Sequence, residues 1–167
     1  MRKLLMIGPG GSGKSTLAAA IAAKTGLPLI HLDALYWRPG WVETPRAEWR
    51  QRMDALVREP AWVMDGNYGG TLDLRLAACD TVVFLDLPTW LCAWRVLRRR
   101  FQFHDRSRPA MAEGCPERLD FDFLWWVLTY RWRRRPGILA RLRDAEAAGK
   151  RVIVLGTPAA VAAFAAQ

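Results

Sequence analysis

The stretch Gly8-Pro9-Gly10-Gly11-Ser12-Gly13-Lys14-Ser15 constrains this chain more than any other. It is a glycine, four residues, then Gly-Lys-Ser, placed between the apolar run Lys3 to Ile7 and the helix-forming segment Lys14 to Lys24. A phosphate-binding loop requires that order of strand, glycine-rich turn and helix. Given ordinary residue frequencies, chance supplies the pattern in on the order of one percent or fewer of chains this long. Glycine lets the backbone turn with positive φ and brings N–H groups against phosphate oxygens with no Cβ in the way. Lys14 adds a cation that reaches the β- and γ-phosphates, the Ser15 hydroxyl can ligate Mg²⁺, and the helix N-terminus supplies partial positive charge at the same place. Thr16 is either a second hydroxyl ligand or an ordinary helix residue. Gly8, Pro9, Gly10, Gly11, Ser12, Gly13, Lys14, Ser15 and Thr16 are therefore the candidate nucleotide-binding residues, with ATP and Mg²⁺ as the expected cofactors.

Around this loop, short apolar runs alternate with longer amphipathic or charged stretches. Lys3 to Ile7, Leu29 to Leu32, Trp62 to Met64, Thr81 to Leu85 and Arg151 to Leu155 read as buried strands. Lys14 to Lys24, Pro45 to Arg58, Thr89 to Phe101, Phe121 to Arg134 and Pro136 to Ala148 read as helices, and the Ala-rich tail from Pro158 to Ala166 leans the same way. Strand alternating with helix predicts a parallel α/β sheet, and 167 residues fit one domain over 1–167. Ligands of such sheets sit beyond the carboxyl ends of the strands. Asp33, Asp65 and Asp86 all lie there; each is a candidate for holding Mg²⁺ or orienting an acceptor, with a loop or cap role as the alternative, and spacing alone does not rank Asp65 against Asp86.

The net charge of +9 favours an anionic partner, and nucleotide phosphates or nucleic acid satisfy it equally. Eleven arginines against five acids fall between Arg95 and Arg135, so this stretch carries most of the excess. Gln102 to Glu117 combines Pro109, Gly114 and Pro116 with polar residues, the composition of a flap between two helices. No apolar run is long enough to cross a bilayer, and the N-terminal apolar run is too short for a signal peptide, so the expectation is a cytoplasmic protein without a membrane partner. Cys79, Cys92 and Cys115 lack metal-ligand spacing and read as reduced thiols. Tyr36, Trp37 and Trp41, in a Pro- and Gly-containing loop, are the aromatic residues best placed to touch a substrate, while His31 and His104 show no partner pattern for catalysis.

Met64-Asp65-Gly66-Asn67-Tyr68 resembles the Asp-Gly signature after the third strand of adenylate-kinase-like nucleoside monophosphate kinases. The order that follows is similar too: Val83-Phe84-Leu85-Asp86-Leu87-Pro88, a helix bearing Arg95 and Arg99, a polar flap, then Arg131, Arg133, Arg134 and Arg135. The resemblance implies a three-layer P-loop NTPase fold with a five-stranded parallel sheet in the order 2-3-1-4-5. It also implies an acceptor-binding segment at about 33–60 and an Arg-rich lid at about 102–117. It assigns Asp65 with Ser15 to Mg²⁺, Arg95, Arg99 and Arg131 to the transferring phosphoryl group, and Gly156 and Thr157 to the passage of the adenine ring, the last pair being equally readable as a helix start. Asp33 then faces the acceptor as the group that orients or deprotonates it, and Asp86 caps the turn at Pro88. The chain departs from these kinases at Asn67-Tyr68-Gly69-Gly70, where they carry Phe-Pro-Arg; either Arg75 substitutes for that acceptor-phosphate arginine, or the acceptor carries no phosphate there. His31 through Trp37, Asp65-Gly66-Asn67-Tyr68 and Arg108 with Gly114 through Glu117 resemble more closely the adenylate-kinase-related group called DNA topology modulation proteins. The implied activity is transfer of the ATP γ-phosphate to a nucleotide, nucleoside or other small acceptor. The alternative is a nucleic-acid-binding ATPase using Arg98 to Arg100 and Arg131 to Arg135 on phosphates, although no nucleic-acid-binding motif accompanies them. The sequence leaves the oligomeric state open.

Overall fold

Alternate residues of a buried strand face opposite sides of its sheet, and the strand-forming runs here are apolar on both parities, which calls for a helical layer on each face. The computed structural model describes residues 1–102, 110–116 and 120–166. Its elements are β1 (Lys3–Ile7), α1 (Lys14–Thr25), β2 (Leu29–His31), α2 (Leu32–Tyr36), a hairpin of β3 (Trp37–Arg38) and β4 (Val42–Glu43), α3 (Arg46–Arg58), β5 (Trp62–Asp65), a 3₁₀ turn over Gly69–Thr71 and α4 (Leu72–Ala78). They continue with β6 (Thr81–Leu85), α5 (Thr89–Gln102), α6 (Phe121–Arg133), α7 (Arg135–Ala147), β7 (Arg151–Leu155) and α8 (Pro158–Ala166). The main sheet has the order β2-β5-β1-β6-β7, all parallel. Counting only its own strands, that is the expected 2-3-1-4-5.

Leu5, Ile7, Trp62, Met64, Val82 and Phe84 pack on one face of the sheet against residues of α3, α4 and α7. Leu4, Met6, Val63, Val83 and Leu85 pack on the other against α1 and α8. A third cluster joins α5 and α6 through Cys92, Ala93, Val96 and Val127 beside the phosphate loop. Helix ends follow local chemistry. Gly26 closes α1 in the left-handed region with its N–H on the Ala22 carbonyl, and the Asp120 carboxylate caps α6 by accepting from Phe123 N–H at 3.0 Å. No described helix is long and apolar enough to cross a membrane.

The structure departs from the sequence reading mainly between β2 and β6. Leu32, expected to end a strand, opens α2, and the loop of Trp37 to Trp41 is part of the β3–β4 hairpin. Trp41 takes φ +64°, a conformation that a bulky residue rarely adopts. The flap expected at 102–117 lies only partly within the described residues: 110–116 are described, whereas His104, Arg108, Pro109 and Glu117 lie outside them.

Arg75 of α4, a candidate for an acceptor's phosphate, is instead fully buried. Its Nε donates to the Thr71 carbonyl at 3.3 Å, Nη1 to Gly66 at 2.7 Å, and Nη2 to Asn67 at 2.6 Å and Tyr68 at 2.8 Å. Burial lowers its pKa to about 10, still far above neutrality, so the charge stays and the carbonyl dipoles solvate it. Arg75 thus fixes the 66–71 turn and is not free for a ligand. Replacing it with Met strips four carbonyls of a donor, two of them in buried bonds and two in part-buried ones, and the expected loss of stability is about 3 kcal/mol in urea unfolding. A loss below about 1 kcal/mol would show the turn to be held by other means.

Candidate functional site

One cleft of about 1780 Å³ runs across the carboxyl ends of the strands, lined at one end by the phosphate loop and at the other by the β3–β4 hairpin and the start of α3. The loop itself is built on close approach. A Cβ on Gly11, at φ +78°, would stand 2.3 Å from the Cys92 carbonyl of α5, and one on Gly10 would stand 2.5 Å from the Phe123 ring of α6. Glycine here lets two helices close over the loop. Gly8 is tied to the neighbouring turn: its N–H donates to Asn67 Oδ1 at 3.1 Å, and Asn67 Nδ2 returns a bond to its carbonyl at 2.6 Å. Lys14 Nζ rests on the Pro9 carbonyl at 3.0 Å, and desolvation lowers its pKa while Asp65 and Asp33 act against that.

At the head of α1, Ser15 Oγ donates to Asp65 Oδ2 at 2.6 Å. The other oxygen of the same carboxylate, Oδ1, lies 2.5 Å from His31 Nδ1, a contact that follows from the sheet because His31 and Asp65 are register partners on β2 and β5. The hydrogen bond to Asp65 raises the His31 pKa. His31 is therefore not an isolated histidine: it orients the carboxylate that Ser15 also holds. Sequence spacing does not reveal this pair, because it depends on which two strands are neighbours. A hydroxyl and a carboxylate are hard oxygen donors and fit Mg²⁺, which takes one or two protein oxygens and fills its shell with phosphate and water.

Asp33 lies one residue into α2, lines the cleft, and accepts a bond from the Tyr68 hydroxyl at 2.6 Å. Tyr36, Trp37, Trp41, Trp49 and Tyr68 form a connected set of rings beside it, with centroids 4.6 to 5.4 Å apart from Tyr36–Tyr68 to Trp37–Trp41. Burial, with Asp33 alongside, raises the Tyr68 pKa, so this hydroxyl stays protonated and donating. The hairpin is also joined to segment 110–116. Gly40 N–H donates to the Gly114 carbonyl at 2.9 Å, Trp41 Nε1 to Pro116 at 3.1 Å, and the buried Cys115 thiol to the Arg38 carbonyl at 3.2 Å.

Arg95 and Arg99 of α5 both line the cleft; Arg95 Nη1 donates to the Ser12 carbonyl at 3.4 Å, and the Arg99 guanidinium lies 5.9 Å from the Phe123 ring centre. Arg131 is exposed and is not a lining residue; Arg133, Arg134 and, from α7, Arg141 are. At the helix end that the sequence singled out, the arginines two and three positions beyond Arg131 are the ones in the cleft lining. Asp86 does not cap the turn at Pro88. It receives Arg135 Nε at 2.8 Å and Nη2 at 2.7 Å, an ion pair that joins β6 to α7. Gly156 and Thr157 are exposed outside the cleft lining, and the Thr157 hydroxyl accepts from Ala160 N–H at 3.1 Å as the cap of α8.

A family model described as "ATPase family associated with various cellular activities (AAA)" matches residues 4–86, from β1 through the phosphate loop to the end of β6. No curated protein matches the sequence. Among solved structures, the chain is similar to a shikimate kinase from Acinetobacter baumannii in complex with shikimate (18% identity, TM-score 0.58, 99% of this chain and 89% of that one). It is also similar to a gluconokinase from Sinorhizobium meliloti (19%, 0.53, 99% and 94%) and to an unliganded sugar kinase from Janibacter sp. (19%, 0.51, 99% and 92%). The fold is that of the P-loop kinases. Within that fold, the adenylate-kinase and topology-modulation subgroups remain a resemblance in residues that these comparisons do not carry.

In this P-loop kinase fold, the closeness of α5 to the loop is a measurable constraint. Gly11→Ala adds a Cβ against a backbone carbonyl at a positive φ, and the expected cost is about 2 kcal/mol or more. The melting midpoint should fall by at least about 4 °C; an unchanged midpoint would place the α5 backbone farther from the loop.

Proposed function

We propose that this protein is an ATP-dependent kinase that transfers the γ-phosphate to a hydroxyl of a small molecule held between Asp33 and the ring wall of Tyr36, Trp37 and Trp41. The observation that carries this reading is the cleft's division of labour. Lys14, Ser15 and Asp65 converge at the phosphate loop, Asp33 lines the same cleft near enough to act on Lys14, and the arginines of α5 and α6 line the same space. Lys14, Ser15 and the loop N–H groups would hold the triphosphate, with Ser15 and Asp65 holding Mg²⁺ and His31 keeping the Asp65 carboxylate in place. Bound there, Mg²⁺ neutralises charge on the β- and γ-phosphates. Asp33 accepts the acceptor's hydroxyl proton, and the Tyr68 bond fixes the carboxylate's orientation for that role. Arg95 and Arg99 then stabilise charge that develops on the phosphoryl group in transfer. The small-molecule kinases among the structural neighbours are compatible with this chemistry, and the acceptor's identity follows from none of them.

A nucleic-acid-binding reading needs the arginines of α6 presented outward as a row. Arg133 and Arg134 lining the ATP cleft favours the kinase reading.

Asp33→Asn should lower kcat by about 10²–10⁴-fold with the true acceptor while ATP affinity changes by less than about threefold. Equal losses in ATP affinity and kcat would remove Asp33 from the acceptor side. Asp65→Asn should weaken Mg²⁺-dependent turnover far more than Asp86→Asn, whose half-buried ion pair with Arg135 predicts a loss of about 1 kcal/mol in stability and little kinetic change. A turnover assay titrated with Mg²⁺ separates the two, and greater kinetic damage from Asp86→Asn would reverse the assignment.

A further inference from the structure

Among the described residues, eight of the eleven exposed large apolar side chains lie on α5 and α6. On α5 they are Trp90 (71% exposed), Trp94 (52%), Leu97 (38%) and Phe101 (81%); on α6 they are Phe121 (73%), Trp125 (61%), Leu128 (37%) and Trp132 (74%). Both sets repeat at i, i+4, i+7 and i+11, so each forms a stripe along one side of its helix. Arg99 of α5 lies over Phe123 of α6, and Val96 shares a packed cluster with Val127, so the last turns of α5 meet the first turns of α6. The helices therefore run antiparallel, so the order of residues along one stripe is reversed along the other. None of these eight residues lines the kinase cleft.

We propose that this helix pair is the interface of a homodimer, with the α5–α6 stripes of one copy packed on those of a second. With about 150–250 Å² for an aromatic side chain, the six rings alone leave roughly 600–1,000 Å² in water. A stable interface needs about 800 Å² per partner, and a monomer rarely exposes an apolar patch beyond a few hundred Å². The charge pattern selects a second copy over an anionic surface. Arg95, Arg98, Arg99, Arg133 and Arg134 line the cleft, and the Arg98 guanidinium lies over the Trp94 ring at 5.4 Å. Five of the arginines at these helices thus line the nucleotide site, and Arg131 is an exposed one outside it, so the stripes are not flanked by a continuous row of cations. A face of tryptophan and phenylalanine without lysine has the composition of a protein–protein interface core. Ring beside leucine on each helix, in reversed order on the two, lets the face complement itself, as a two-fold interface requires.

Light scattering on the eluting protein, from about 1 to about 100 µM, tests the proposal. The expected mass is twice 18.9 kDa at the upper concentrations, falling toward one chain on dilution. Trp94→Glu and Trp125→Glu, one on each stripe, should each weaken dimerisation at least about tenfold while far-UV circular dichroism and a cooperative melt show an intact fold. Should a glutamate variant fail to fold, Trp94→Gln and Trp125→Gln carry the same test with a milder change. A single-chain mass at every concentration overturns the proposal, and so does a dimer that both variants leave as tight as wild type. A monomer whose stripes mediate binding to phosphatidylserine vesicles or to a single-stranded oligonucleotide, lost in the same variants, also overturns it in favour of that surface.

Discussion

The site depends on one buried guanidinium. Arg75 satisfies the carbonyls of Gly66, Asn67, Tyr68 and Thr71, and in doing so fixes the turn from which three contacts leave in three directions. Asp65, just before the turn, reaches Ser15; Asn67 clasps Gly8 through both its amide atoms; Tyr68 holds Asp33. The phosphate loop, the proposed metal carboxylate and the proposed acceptor carboxylate are thus positioned from one place. Removing the charge would cost more than a surface ion pair, because buried acceptors would lose their donors with no water to replace them. It also helps to account for Tyr68 at φ +28°, an unfavourable conformation that three bonds at its carbonyl, from Arg75, Thr71 N–H and the Thr71 hydroxyl, help to hold.

Most of the sheet was legible in the sequence because its strands are apolar on both faces and end at Asp, Gly or Pro, and the glycine-rich loop gave the order of strand and helix around it. The expected sheet order came from resemblance and agrees with the pairing. What escaped were features created by proximity. His31 looked unpartnered because its partner lies on a neighbouring strand 34 residues away. Arg75 looked available because a charged residue on a short helix is usually solvated, and nothing local announces four carbonyls converging on it. Arg131 and Arg133 differ by two residues, which on a helix is a turn of about 200° and the difference between solvent and cleft. The aromatic residues divide likewise. Tyr36, Trp37 and Trp41 line the cleft, Trp49 of α3 joins them there, and the spacing of Trp90, Trp94, Trp125 and Trp132 acquires meaning only once their helices are known to lie together.

The kinase fold and the proposed chemistry are separable. Sheet, loop and helix layers are shared with the shikimate, gluconate and sugar kinase structures at under one-fifth identity, which establishes architecture and no more. The proposed acceptor end is described by this chain's own residues: five connected rings, a tyrosine on the Asp33 carboxylate, and Arg75 withdrawn into the interior.

The ties between the hairpin and segment 110–116 carry a further consequence for how such a protein diversifies. Gly40 with Gly114, Trp41 with Pro116 and Arg38 with Cys115 bind two stretches more than seventy residues apart, and a Cβ on Gly114 would come within 2.9 Å of the Pro39 side chain. Because every acceptor in these bonds is a main-chain carbonyl, a change in the backbone course of either stretch is felt by the other, and an engineer grafting one would have to graft both to keep the contacts.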